Sequence, residues 1–154
     1  MKKCSLFAAL FLLLVPSLLN AATIGEIRLK SGATLANTYA WDGRELKPKS
    51  GASLENTWLF DGRELKPKAK ATLNNTYLWN GKELKPKSGA TLNNTYVWNG
   101  KELKPKSGAT LRNTWVIQQQ EWKPKSGATL SSTWIVSGSI PLPVCALVVL
   151  GLIQ

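Results

Sequence analysis

Glutamate, lysine and aromatic side chains return in this chain at a fixed interval, and any chemistry it performs must rest on them. Glu45, Glu64, Glu83, Glu102 and Glu121 recur every nineteen residues, each within two residues of a lysine. Paired carboxylates can act as general acid and base, but a glycosidase-like pair needs two acids in different environments. Identical units supply identical environments, so these glutamates are expected to form ion pairs on a solvated surface. The chain contains no histidine, which removes the commonest general base and metal ligand and any Ser-His or Cys-His nucleophile. No cysteine pair or carboxylate cluster has metal-ligand spacing, and no Gly-rich phosphate loop is present. The expectation is a non-enzymatic protein with no catalytic residue, cofactor or metal.

Two further recurrent groups suit binding. Lysines flank a proline once per unit, at Lys47 and Lys49, Lys66 and Lys68, Lys85 and Lys87, Lys104 and Lys106, and Lys123 and Lys125. These ten are the candidate polymer-binding residues, because arrays of one basic unit favour polyanions such as cell-wall glycan, lipopolysaccharide or extracellular nucleic acid. The same lysines also confer solubility and block edge-to-edge strand pairing. The second group is an Asn-Thr-aromatic triplet, seen at Asn37-Thr-Tyr39, Asn56-Thr-Trp58, Asn75-Thr-Tyr77, Asn94-Thr-Tyr96 and Asn113-Thr-Trp115. Aromatic rings beside amides suit sugars, and beside lysines they suit single-stranded nucleic acid. The competing reading is a core aromatic plus an asparagine that satisfies loop backbone. Drift of Trp41, Phe60, Trp79 and Trp98 to Ile117 and Val136 in the last units favours packing.

The elements that carry these groups are hairpins. Leu35, Leu54, Leu73, Leu92, Leu111 and Leu130 mark six copies of one nineteen-residue phrase, and a fixed short period signals a repeat architecture. Asp42-Gly43, Asp61-Gly62, Asn80-Gly81 and Asn99-Gly100 predict two-residue type I′ turns with positive φ at both residues. A hairpin closed by Asn99-Gly100 sets Trp98 opposite Lys101 and Tyr96 opposite Leu103. Alternation then puts Leu92, Tyr96, Trp98 and Leu103 on one buried face, and Thr95, Val97, Glu102 and Lys104 on the other. The recurrent Pro48, Pro67, Pro86, Pro105 and Pro124 fit strand ends. The fifth turn departs from the pattern with Gln118-Gln119-Gln120, and Trp122 stands where other units have leucine.

One hairpin cannot bury enough apolar surface alone, whereas stacked copies can. The repeats open on a second strand lacking its first, Glu26-Ile-Arg-Leu-Lys-Ser31, and end on a first strand lacking its second, Thr133-Trp-Ile-Val136. The expected fold is all-β: six hairpin repeats forming a solenoid or meander, or a closed ring or prism of about twelve strands. Aromatic-Asn-Gly hairpins such as Trp79-Asn-Gly81 resemble choline-binding and related cell-wall-binding repeats in outline. The double-aromatic strand and second turn glycine of those repeats are missing here, and Lys-Pro-Lys is foreign to them. No binding residue is carried over from that resemblance.

The ends complete the organisation. Residues 1–21 read as a signal peptide, with Lys2 and Lys3 before an apolar run from Leu6 to Val15. The expected location is exported: periplasm, cell surface or extracellular space, with the short Lys-Lys start suggesting a bacterium. Without Lys2 and Lys3, eighteen Lys and Arg stand against nine Asp and Glu, a formal +9. Residues 22–139 form the repeat domain, and 140–154 an apolar tail. Ile140 to Ile153 is too short for a membrane helix, which needs about 20 residues. The tail is expected to pack on the repeats, to contact a membrane, or to be donated to another subunit. Cys145, the one cysteine after the leader, fits a buried small hydrophobe. The function expected is an exported binding module for anionic cell-envelope or surface polymers; the alternative is a self-assembling structural or surface protein that uses its repeat ends and tail.

Overall fold

Twelve short strands and one helix make up the computed structural model, which describes residues 23–153; the expected leader lies outside them. The strands are β1 (Gly25–Leu29), β2 (Tyr39–Trp41), β3 (Glu45–Pro48), β4 (Trp58–Phe60), β5 (Glu64–Pro67) and β6 (Tyr77–Trp79). They continue with β7 (Glu83–Pro86), β8 (Tyr96–Trp98), β9 (Glu102–Pro105), β10 (Trp115–Gln118), β11 (Glu121–Pro124) and β12 (Trp134–Gly138), followed by helix α1 (Leu142–Val149). Each strand pairs antiparallel with its sequence neighbours, and β1 pairs with both β2 and β12, giving a closed barrel. The two half-units complete each other in register from Gly25 opposite Gly138 to Leu29 opposite Trp134. Of the open and closed arrangements, the closed ring forms, and closure removes the free edges that a stack would expose.

Antiparallel alternation sends all short hairpin turns to one end of the barrel and the long loops to the other. The turns are displaced by one residue from expectation. Trp98 lies opposite Leu103, and Tyr96 opposite Pro105. Gly100, at φ +92°, is the first of two central residues, and Asn99 keeps an ordinary backbone. The Asn99 Oδ1 instead accepts from the N–H groups of Lys101 at 3.0 Å and Glu102 at 2.7 Å. Positive φ at glycine in the first central position is the mark of a type II′ turn, which matches strand twist as type I′ does. In the fifth turn Gln119 takes that position at φ +56°, a conformation that costs a residue with a Cβ about 1 kcal/mol.

The change moves the partner by two residues, so side-chain parity survives. Tyr96, Trp98, Leu103 and Pro105 do share the inward face. Leu46, Leu65, Leu84 and Leu103 are at most 1% exposed, with Ile27 and Trp122 in the same ring. Trp122 lies opposite Ile117, whereas Leu103 lies opposite Trp98. At Ile117 the drift seen in the sequence is therefore a large-for-small exchange across one strand pair, the kind of volume-conserving swap that a core tolerates; Val136 lies opposite Ile27, so there both partners are aliphatic. Two expectations fail. Leu92 lies in a loop, not on the inward face, and the six equivalent leucines are 58–64% exposed. Thr95 lies before its strand and is buried, its hydroxyl donating to the Thr91 carbonyl at 2.7 Å.

The tail fills the barrel. Gly138 ends β12 at the turn end, and α1 runs from there through the lumen, so that Val144–Val149 are all buried. A helix apolar on every side is stable only when surrounded. Its termini are satisfied without polar side chains. Pro141 and Pro143 carry no N–H, and the Pro141 carbonyl accepts from Val144 at 3.0 Å and Cys145 at 3.2 Å. At the other end Gly151, at φ +65°, donates to Val148, and Leu152 to Leu147 at 2.9 Å, the Schellman arrangement.

Truncating this plug should unfold the wall from within. Leu147→Ala, at a residue with no exposed surface, is expected to lower urea-unfolding stability by about 2–5 kcal/mol. Burial also pushes the Cys145 thiol up to about 12. Iodoacetamide at pH ~8, near the free thiol value, should therefore leave Cys145 unmodified in native protein and alkylate it in urea, read by peptide mass. Because the folded value is raised, the burial of the neutral thiol stabilises fully below the unfolded value. That contribution is lost as pH rises toward 12.

Candidate functional site

The outward face of each second strand carries a Glu and a Lys two residues apart, and a further Lys follows the strand. Around the closed wall they form three stacked rings. The rim ring, nearest the long loops, is Lys30, Lys49, Lys68, Lys87, Lys106 and Lys125. The wall ring is Arg28, Lys47, Lys66, Lys85, Lys104 and Lys123, and the acidic ring is Glu26, Glu45, Glu64, Glu83, Glu102 and Glu121. All ten candidate lysines therefore lie on one belt. Arg28 and Lys30 belong to it as well, and extending the nineteen-residue period back from Lys47 and Lys49 lands on both.

Every rim lysine is paired with the glutamate one unit away. Lys68 reaches Glu45 at 2.6 Å, Lys87 reaches Glu64 at 3.1 Å, Lys106 reaches Glu83 at 2.7 Å, and Lys125 reaches Glu102 at 2.6 Å. Lys49 pairs with Glu26, and Lys30 closes the circle on Glu121. Each pair spans an intervening strand. Leu59 on β4, for example, lies opposite both Glu45 and Lys66, so the Lys68–Glu45 bridge crosses β4 there. The expectation that the glutamates pair with lysine holds, but the short partner comes from the next unit.

Wall-ring cations are less committed. Lys66 lies 3.7 Å from Glu64, Lys123 lies 3.9 Å from Glu121, and the Arg28 guanidinium lies 3.6 Å from Glu26. Among the described residues Lys47, Lys85 and Lys104 make no ion pair. Twelve cations against six carboxylates leave the belt with an excess of positive charge, concentrated in the wall ring. A cleft of about 250 Å³ opens on the wall, lined by Arg63, Leu78, Trp79, Asn80, Glu83 and Lys85. It sets Arg63 and Lys85 beside Leu78, while the Trp79 side chain packs against the core.

The Asn-Thr-aromatic triplet is used in building the loops. Asn94 Oδ1 accepts from the Thr91 N–H at 2.6 Å, its Nδ2 donates to the Gly89 carbonyl at 3.0 Å, and its own N–H donates to Thr91 Oγ1 at 3.3 Å. The same clamp recurs at Asn37, Asn56, Asn75 and Asn113. The triplet aromatics line the inward face opposite the prolines, as Tyr77 does opposite Pro86. Amide and ring thus serve the scaffold at once. The second cleft, about 340 Å³, lies between the second and third long loops and is lined by Trp58, Tyr77, Asn74, Glu55, Lys70 and Leu152, among others. Glu55 and Lys70 pair there at 2.6 Å.

Hydrogen bonds from the Lys106, Lys125 and Lys30 ammonium groups hold the Glu83, Glu102 and Glu121 carboxyls below the ordinary carboxylate range. At Asp61 the N–H groups of Glu64 and Arg63 do the same. Among the described residues no group of three or more His, Cys, Asp or Glu gathers as a metal-ligating cluster. No protein-family model matches the chain, and no curated protein or solved structure matches it.

A depressed carboxyl contributes stability above its unfolded value and loses it as pH falls through the folded value. Thermal melting should therefore be flat from neutral pH to the ordinary carboxylate value of about 4.3 and fall below it. The acid-dependent fall should be smaller in about 1 M salt, because screening at these solvent-facing pairs has already weakened them.

Proposed function

We propose that this is a non-enzymatic, exported binding module for anionic polymers of the cell envelope or surface, and that the cation rings of the barrel wall are its binding surface. The observation that carries the reading is the two-to-one ratio of cations to carboxylates on a continuous belt, with the rim lysines paired to glutamate and Lys47, Lys85 and Lys104 of the wall ring unpaired among the described residues. A polyanion wound against the wall would meet a cation from each unit in turn. Six weak contacts engaged together bind far more tightly than one. The wall cleft would add the apolar side chain of Leu78 beside Arg63 and Lys85.

The self-assembly alternative relied on repeat ends and the apolar tail. Both are engaged within the chain, the ends with each other and the tail in the lumen, so neither is presented to a second subunit. Membrane contact through Ile140–Ile153 would likewise require the plug to leave the barrel.

Heparin and double-stranded DNA serve as test polyanions. The protein should bind both at about 50 mM salt, with log K falling linearly against log salt. The triple variant Lys47→Glu, Lys85→Glu, Lys104→Glu should lose at least tenfold in affinity and flatten the DNA salt slope by about 2–3. The corresponding three Lys→Arg changes should retain binding. Failure to bind either polyanion at low salt, in protein whose melting is unaltered, would refute the proposal.

A further inference from the structure

The loop end of the barrel carries a crown of leucines that the core does not use. Leu35, Leu54, Leu73, Leu92, Leu111 and Leu130 are 58–64% exposed. They make up all but one of the large exposed hydrophobics among the described residues, the other being Ile24. Alternation of short turns and long loops puts all six at one end. Together they present apolar area on the order of 500 Å², comparable to the largest patch on a typical monomer, which is often functional.

The loops are built to hold these side chains out. Leu92 lies inside the clamp made by Thr91 and Asn94, and its carbonyl accepts from the Ser107 N–H at 3.0 Å. Leu35, Leu73 and Leu111 accept from Ser50, Ser88 and Ser126, each at 3.1 Å, and Leu54 from Ala69 at 2.9 Å. Leu130 opens a 3-10 turn capped by Thr129 and accepts from Ser31 at 3.1 Å. A leucine fixed at both flanks cannot turn inward, so its exposure is a property of the folded loop. The donor to each leucine carbonyl directly follows a rim lysine, so the cation ring begins at the base of the crown.

We infer that the leucine crown seats the barrel end-on against an anionic lipid bilayer, the six leucines entering the interface and the cation excess of the belt beneath them attracted to the headgroups. Charge decides between a bilayer and a second copy of the chain. Two crowns stacked face to face would bring together two belts that each hold twelve cations against six carboxylates, whereas an anionic leaflet attracts basic side chains at its surface. Six apolar anchors in one ring also suit a flat interface, where amphipathic surfaces bind by buried apolar area plus attraction to anionic lipid. The leucine crown is distinct from the polymer-binding wall, although both draw on the charge of the same belt.

The test uses the full chain with vesicles of phosphatidylcholine alone and of phosphatidylcholine with phosphatidylglycerol. Co-sedimentation is expected with the anionic vesicles and weakened by salt. The variant Leu54→Ser, Leu92→Ser, Leu130→Ser should lose at least tenfold in vesicle partitioning while keeping its heparin affinity and melting temperature. Hydrogen exchange on the unsubstituted chain gives a second reading: vesicles should slow exchange in the long loops and leave the turns at 42–44 and 99–101 unchanged. Three results would overturn the inference: no binding to anionic vesicles, equal binding by the leucine variant, or a dimer in solution that the leucine changes dissolve while vesicles are ignored.

Discussion

Twelve strands close on a lumen wider than their own side chains can fill. At about 4.8 Å between strands the perimeter is roughly 58 Å and the diameter roughly 18 Å, before strand tilt widens it. Inward leucines and aromatics from opposite walls leave a space of about one helix, whose diameter with side chains is 10–12 Å. The tail supplies that helix. Its eight residues give about 12 Å of length, close to the height of walls built from strands of three to five residues. The same constraint explains the composition of the helix. Every side faces the wall, so no side is polar, and its ends are satisfied by prolines that lack an N–H and by a glycine turn.

A filled lumen and a ring without edges direct binding to the exterior. The helix occupies the lumen, and the amide groups that looked available in the sequence are consumed in the loop clamps. What the barrel displays is charge on its wall and leucine at one rim, each in six copies. The ion-pair belt links these surfaces to the fold, because each bridge crosses a strand and ties one unit to the next. Single bridges of this exposure contribute little. Their regular placement fixes which lysines are neutralised and which remain available, and that division gives the wall its character.

Much of this was legible in the sequence, and the errors have identifiable causes. Period, strand identity and the inward set of Tyr96, Trp98 and Leu103 followed from alternation, and they withstood a turn misplaced by one residue because the pairing shift was even. The turn itself was misread because Asn-Gly admits two roles. Asparagine can adopt positive φ, or it can keep an ordinary backbone and accept two N–H groups with its side chain, as Asn99 does. Leu92 was assigned to the core because hydrophobicity argues for burial, yet alternation applies only within a strand, and β8 begins four residues later at Tyr96. For the tail, packing on the repeats stands as one of three expectations beside membrane contact and donation to another subunit, and the space it packs into exists only once the ring closes. Closure depends on a pairing between residues more than a hundred positions apart, as in Ile27 with Val136.

That pairing also explains why the interior and exterior of the ring vary differently. Inside, the requirement is apolar filling and not one fixed pair, so Ile117 with Trp122 can replace a Trp with Leu pair, and Ile27 with Val136 can stand in the same place. On the wall, each glutamate must meet a lysine twenty-three residues further on, and the series has to return to its starting strand. Lys30 and Glu121 meet only because six units bring β11 and the end of β1 to the same relation that the other five pairs hold. A seventh unit or a fifth would leave the half-units at β1 and β12 intact as strands but would change the perimeter that α1 fills. Repeat number and plug are thus matched, and the six-membered charge belt goes with that number.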